Sequence, residues 1–253
     1  MMYRPSSAAF TVGLVLIVLA TAGIVYLAFL FCNRAPASWF CDYGESPSPK
    51  TACDVRFSYR RVGIPCTVLL CVCNALYFFI YGVCLYSVFL CLAMILMLLI
   101  ALSDREYTII PDQFNAALAL LCTVGAVCDL LSGQFFITSW WSPLAGSVCG
   151  AALFLLLNLF SRALYKKDGI GFGDVKLFGA LGILLGFPAV FLSFIILLFT
   201  AFFHILFLLA TKKVKSGFYL PMGPYICAGC ALLILLRTPV YHFVGWYLQL
   251  LGL

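Results

Sequence analysis

Charge is scarce in this chain. Asp, Glu, Lys and Arg make up 9% of its 253 residues, whereas 65% are hydrophobic and the mean hydropathy is +1.13. A soluble domain carries roughly 25% charged residues, so this composition excludes one and indicates a polytopic membrane protein. A long soluble segment is also missing. The stretch from Asn33 to Pro65, with Pro36, Pro47 and Pro49, is the largest polar interruption and is too short to bury a core of its own. No internal repeat is visible, which disfavours the inverted-repeat plan common among transporters. Histidine is limited to His204 and His242, both read as packing or interfacial residues.

Cysteine, by contrast, is abundant, but not in a metal-binding pattern. Ten of the thirteen lie in apolar runs, where a thiol acts as a small hydrophobe. Cys227 and Cys230 have CxxC spacing inside the last apolar run, with neither a second pair nor a histidine nearby. Cys41 and Cys53 stand alone in the loop, short of the four ligands of a structural zinc. The expectation is no metal and no cofactor.

A membrane span needs about 20 apolar residues. Eight are read at about 8–31, 65–82, 84–102, 113–132, 143–162, 175–187, 188–210 and 222–243. The break at Gly186-Phe187-Pro188 reads as a tight helical hairpin rather than the middle of one long helix. The first run, from Ala8 to Phe31, exceeds the apolar core of a signal peptide and is read as a retained span. The fold class is therefore all-α, a transmembrane helical bundle. Residues 1–65 hold the first span and its loop, and 66–253 form the core.

Thirteen of the fifteen basic residues fall in alternate loops on one side. That side is expected to be cytoplasmic, with both termini outside. The opposite loop, from Gly133 to Pro143, has no Lys or Arg but carries Phe135, Phe136, Trp140 and Trp141, as an interfacial belt does. This bias accounts for the net charge of +6 without a nucleic-acid partner, and the basic face should favour anionic lipid.

Only nine acidic residues remain, and two stand out because an ionisable group beside hydrocarbon marks function by default. Asp104 ends the third span. Asp174 closes Gly171-Phe172-Gly173-Asp174 at the head of the sixth, on the same expected face. Two adjacent carboxyls that share one proton can hydrolyse a peptide: one takes a proton from water while the other polarises the carbonyl. Gly171 and Gly173 permit close backbone approach before the helix. Taken alone, Gly-Phe-Gly-Asp reads better as a helix cap than as a catalytic group. Asp112, after Ile110-Pro111, also reads as a cap, Asp129 as an outer-interface charge, and Glu106 and Asp168 as solvated loop charges. Lys176 is placed either to reach the headgroups or to tune Asp174.

Three segments together resemble the type IV prepilin peptidases: Asp104 followed by Ile110-Pro111-Asp112, then Gly171-Phe172-Gly173-Asp174-Val175-Lys176-Leu177, then Leu220-Pro221-Met222-Gly223-Pro224-Tyr225. They come in that family's order. The resemblance implies that Asp104 and Asp174 are the catalytic pair of an aspartyl endopeptidase in the bacterial cytoplasmic membrane. Gly171, Gly173, Lys176, Pro111, Asp112, Pro221, Gly223 and Pro224 are supporting motif residues. The implied substrate is a prepilin or pseudopilin whose short basic leader ends in Gly. Glu106, Asp112 and Asp168 are the nearest acidic groups for that leader. Bifunctional family members carry a cytoplasmic domain with two CPxC-like pairs and N-methylate the product using S-adenosylmethionine. Cys41 and Cys53 do not supply that pattern, so cleavage is expected and methylation is not. Presenilin-like proteases also use GxGD, but with Tyr-Asp inside an earlier helix and Pro-Ala-Leu later. A transporter or a silent assembly scaffold is the reading from another class.

Overall fold

Long runs of Leu, Val, Ile and Phe have no water to satisfy their backbone groups, so they satisfy them internally as helices. The structure is a computed structural model that describes residues 7–41, 51, 55–82, 85–132, 137, 139–166, 169–212 and 220–250. Asp168, Cys53, Cys84, Phe135 and Phe136 lie outside the described residues. The helices are α1 (Ser7–Arg34), α2 (Ile64–Tyr81), α3 (Leu85–Tyr107), α4 (Asp112–Ser132), α5 (Ser142–Tyr165), α6 (Phe172–Leu185), α7 (Ala189–Ala210), α8 (Gly223–Leu235) and α9 (Arg237–Leu250).

Six of these are long and apolar enough to cross a membrane, or seven if α8 and α9 count as one broken span. The all-helical, multi-pass reading stands, and about eight spans is roughly consistent with it. The hairpin at Gly186 stands as well, since α6 ends at Leu185 and α7 starts at Ala189. Two elements differ in form from the simple picture. The last apolar run is not straight, because α8 and α9 meet at 82° around Leu236. With 14 residues, α6 is about 21 Å long at 1.5 Å per residue, short of the roughly 30 Å hydrocarbon layer.

Apolar on all sides, α6 is the central helix. Val175, Leu177, Phe178, Leu181, Leu184 and Leu185 are all buried there, packed among α4, α5, α7 and α8. Its tightest neighbour is α5. A Cβ at Gly146 or Gly182 would collide with the other's carbonyl, and one at Gly150 would fall 2.8 Å from the Phe178 carbonyl oxygen. Small residues at such a seam let two backbones touch, which supplies the packing energy that lipid-exposed helices cannot gain from hydrophobicity alone. Outward faces of α1, α5 and α7 expose Leu16, Leu159 and Phe203, as lipid contact requires.

The described part of the α1–α2 loop packs onto the bundle. Arg56 donates to the carbonyls of Cys32 and Thr51 at 2.8 and 2.7 Å and lies over the Phe40 ring. Asn33 and Phe57 exchange two hydrogen bonds. Phe40 and Phe57 then meet Tyr107 at the end of α3, and Phe40 also meets Phe114 of α4.

Candidate active site

Asp104 lies one turn before the end of α3, and only 4% of it is exposed. The turn after it is fixed locally. Ser103 Oγ donates to the Ile109 carbonyl at 2.8 Å, and Thr108 takes a left-handed backbone with φ 57°. The N–H of Gly223, first residue of α8, donates to Asp104 Oδ2 at 2.7 Å. A Cβ at Gly223 would fall 2.8 Å from that same oxygen. Glycine is thus required there, because the carboxylate occupies the space of a side chain.

Asp174 is equally buried, at 4% exposure, in the first turn of α6. The cap expectation is corrected here: Gly171 holds the N-cap position and Asp174 is the third residue of the helix. Its N–H donates back to the Gly171 carbonyl at 3.1 Å, while Oδ1 is buried without a partner among the described residues. The two acid-bearing motifs pack together: a Cβ at Gly173 would fall 3.2 Å from Ile110 Cβ, in the turn that follows Asp104. Two acids 70 residues apart in sequence are therefore carried by segments that pack against each other.

The motif residues around them form a frame. Lys176 neither ends in open solvent nor turns to Asp174; its Nζ bonds Asp112 Oδ1 at 2.8 Å and lies 5.3 Å from the Phe172 ring centroid. Asp112 is the first residue of α4, so this ion pair ties the starts of α4 and α6. Both side chains are more than a third exposed, and such a pair contributes at most about 1 kcal/mol. Pro111 is buried, Pro221 and Pro224 are half-buried, and Glu106 is exposed on the turn. Asp129 departs from its expected place: it is 1% exposed and accepts the Ile137 N–H at 2.7 Å. Burial is tolerated because that loop amide needs an acceptor as much as the acid needs a donor.

Two polar groups that hold these segments, Asn115 and Asn158, escaped the sequence reading, and His204, read as a packing or interfacial residue, has a specific partner. Asn115 Nδ2 donates to the Gly173 carbonyl at 3.4 Å. Asn158 of α5 accepts the N–H groups of Gly169 and Ile170, holding the chain that leads into Gly171. His204 of α7 bonds the hydroxyl of Tyr225, two residues beyond Gly223. Their common signal was a neutral polar side chain set in an apolar run. Among the described residues, no three His, Cys, Asp or Glu side chains converge as metal ligands would.

Residues 91–209, just under half of the chain and including both acids, match the type IV leader peptidase family. That segment is similar to the type IV leader peptidase family over the part that holds both acids. A "Prepilin leader peptidase/N-methyltransferase" of Burkholderia pseudomallei (strain 1026b) is 32% identical over 167 residues, covering 65% of this chain and 50% of the relative. Proteins of the same name from Pseudomonas putida and Bacillus subtilis (strain 168) are each 27% identical. They match over 62% and 58% of this chain, and over 51% and 55% of their own lengths. The chain thus spans about half the length of the curated relatives it matches. No solved structure gives a significant match.

Proposed function

We propose that the chain is a membrane-embedded aspartyl endopeptidase that removes the short leader of a prepilin or pseudopilin after Gly, at the cytoplasmic face of a bacterial inner membrane. One observation carries the reading. Asp104 and Asp174, the acids of two family-like motifs, are both buried, and the segments that carry them pack together where Gly173 meets Ile110. Two such carboxyls cannot both ionise cheaply, so the pair holds one proton. The ionised member takes a proton from water as its oxygen attacks the scissile carbonyl carbon. The protonated member gives its proton to the carbonyl oxygen, and collapse of the tetrahedral intermediate expels the amine. The excess of Lys and Arg in the loops on this side supports a cytoplasmic placement. Methyl transfer is not expected, because Cys41 and Cys53 cannot form two CPxC-like pairs.

The test is cleavage of a synthetic prepilin-type peptide, a basic leader ending in Gly followed by an apolar segment, by the purified full chain. Asp104→Asn and Asp174→Asn should each abolish cleavage while the protein still inserts and unfolds cooperatively. Near-normal processing by either variant would overturn the assignment.

A further inference from the structure

Asn115 sits one turn into α4 with 5% exposure, enclosed as tightly as the two acids. Its amide has a determined orientation. The neighbour is the carbonyl of Gly173, which can only accept, so Nδ2 must face it and Oδ1 must face elsewhere. That Oδ1 is buried and meets no donor among the described residues, and the same holds for Oδ1 of Asp174, the residue following Gly173. Leaving a buried acceptor without a donor is costly, so two such acceptors, on Asn115 and on the residue after its partner Gly173, call for a ligand that brings donors.

A peptide is such a ligand. When an extended segment enters a site sealed from water, each backbone N–H loses a hydrogen bond and needs an acceptor. The backbone groups around the acids are already committed: the Gly173 carbonyl to Asn115, and the Gly223 N–H to Asp104. Asn115 Oδ1 is a buried acceptor with no donor among the described residues, and it stays neutral whichever acid holds the proton.

We propose that Asn115 is a substrate-binding residue whose Oδ1 accepts a backbone N–H of the bound peptide beside the scissile bond, while its Nδ2 remains anchored on Gly173. This rests on the peptidase reading above and extends it to how the peptide is held. The bond forms on binding and persists through reaction, so it contributes to ground state and transition state alike and appears in KM.

The experiment is a double-mutant cycle between enzyme and substrate with the detergent-solubilised full chain. Asn115→Leu should raise KM for the prepilin-type peptide about tenfold with kcat nearly unchanged. A merely structural role, in which Asn115 only holds Gly173 and hence Asp174, lowers kcat instead. The peptide is then remade with a backbone ester replacing one amide at a time near the cleavage point, removing a single N–H. One position should raise KM for the wild type but have no further effect on Asn115→Leu. Should Asn115→Leu fail to fold, Asn115→Ser, too short to reach the peptide, takes its place in the cycle. Equal penalties in wild type and variant at every position would overturn the proposal, leaving a water as the donor that Oδ1 meets. If the wild-type chain does not cut the unmodified peptide, the peptidase reading itself fails, and this proposal with it.

Discussion

At the scale of single residues, Gly223 is where the least chemical change should do the most harm. Adding one methyl group there puts a carbon 2.8 Å from Asp104 Oδ2, in the space through which the backbone N–H reaches the acid. Gly223→Ala should therefore lower kcat at least tenfold with the helical fold retained, as read by cleavage rate beside circular dichroism. The Asp112–Lys176 pair predicts the reverse pattern. It is exposed, so Asp112→Asn should change unfolding stability by less than about 1 kcal/mol and keep more activity than either Asp104→Asn or Asp174→Asn. Thermal unfolding in detergent and peptide cleavage check the two halves. Complete loss at normal folding would place Asp112 among the reacting groups.

At the scale of helices, the seam between α5 and α6 decides whether Asp174 has a platform. Gly182→Val puts a branched side chain against the Gly146 carbonyl, where backbone rather than a flexible side chain must give way. The expected loss is about 2–3 kcal/mol, visible as a lower unfolding temperature or faster proteolysis. Gly23→Val in α1, where no atom lies within 4 Å of the added carbon, is the neutral control. Sequence made this element partly legible. The hairpin at Gly186 and the start of α6 followed from Gly, Pro and the apolar run. The cap did not, because Asp is a good capping residue and three consecutive positions, Gly171 to Gly173, offer no side chain or an apolar one to decide the register. The 82° bend between α8 and α9 did have a signal that the reading of one straight span passed over: Arg237 interrupts the apolar run and Pro239 follows in the first turn of α9.

At the scale of the whole molecule, the all-helical membrane fold was readable from composition alone, since so apolar a chain has few other solutions. The meeting of the acids was not, because it depends on which helices pack together, and apolar periodicity says little about that when a helix such as α6 is apolar all round. Asn115 and Asn158 were missed because one amide scarcely alters the hydropathy of a run, and the bond between His204 and Tyr225 was not legible because it joins two helices. Orientation can be tested directly. With native accessible thiols replaced, Arg105→Cys and Ile170→Cys should react with an impermeant reagent from the cytoplasm, and Trp140→Cys only from outside. Labelling of 105 and 170 from opposite sides would part the acids by a bilayer, and the aspartyl mechanism could not stand.

The backbone contact between α5 and α6 has one more effect. Helices joined through glycine carbonyls have little room to slide, so Asp174 travels with α5, whereas Asp104 is gripped by the first residue of α8. The two carboxyls thus ride on opposite sides of a joint. Any strain that slides one side past the other, such as a change in bilayer thickness acting on the short α6, alters the gap between the acids before it disturbs either helix. Catalysis by this pair should accordingly respond to the mechanics of the surrounding lipid, with the rate measured in vesicles of graded acyl-chain length passing through a maximum.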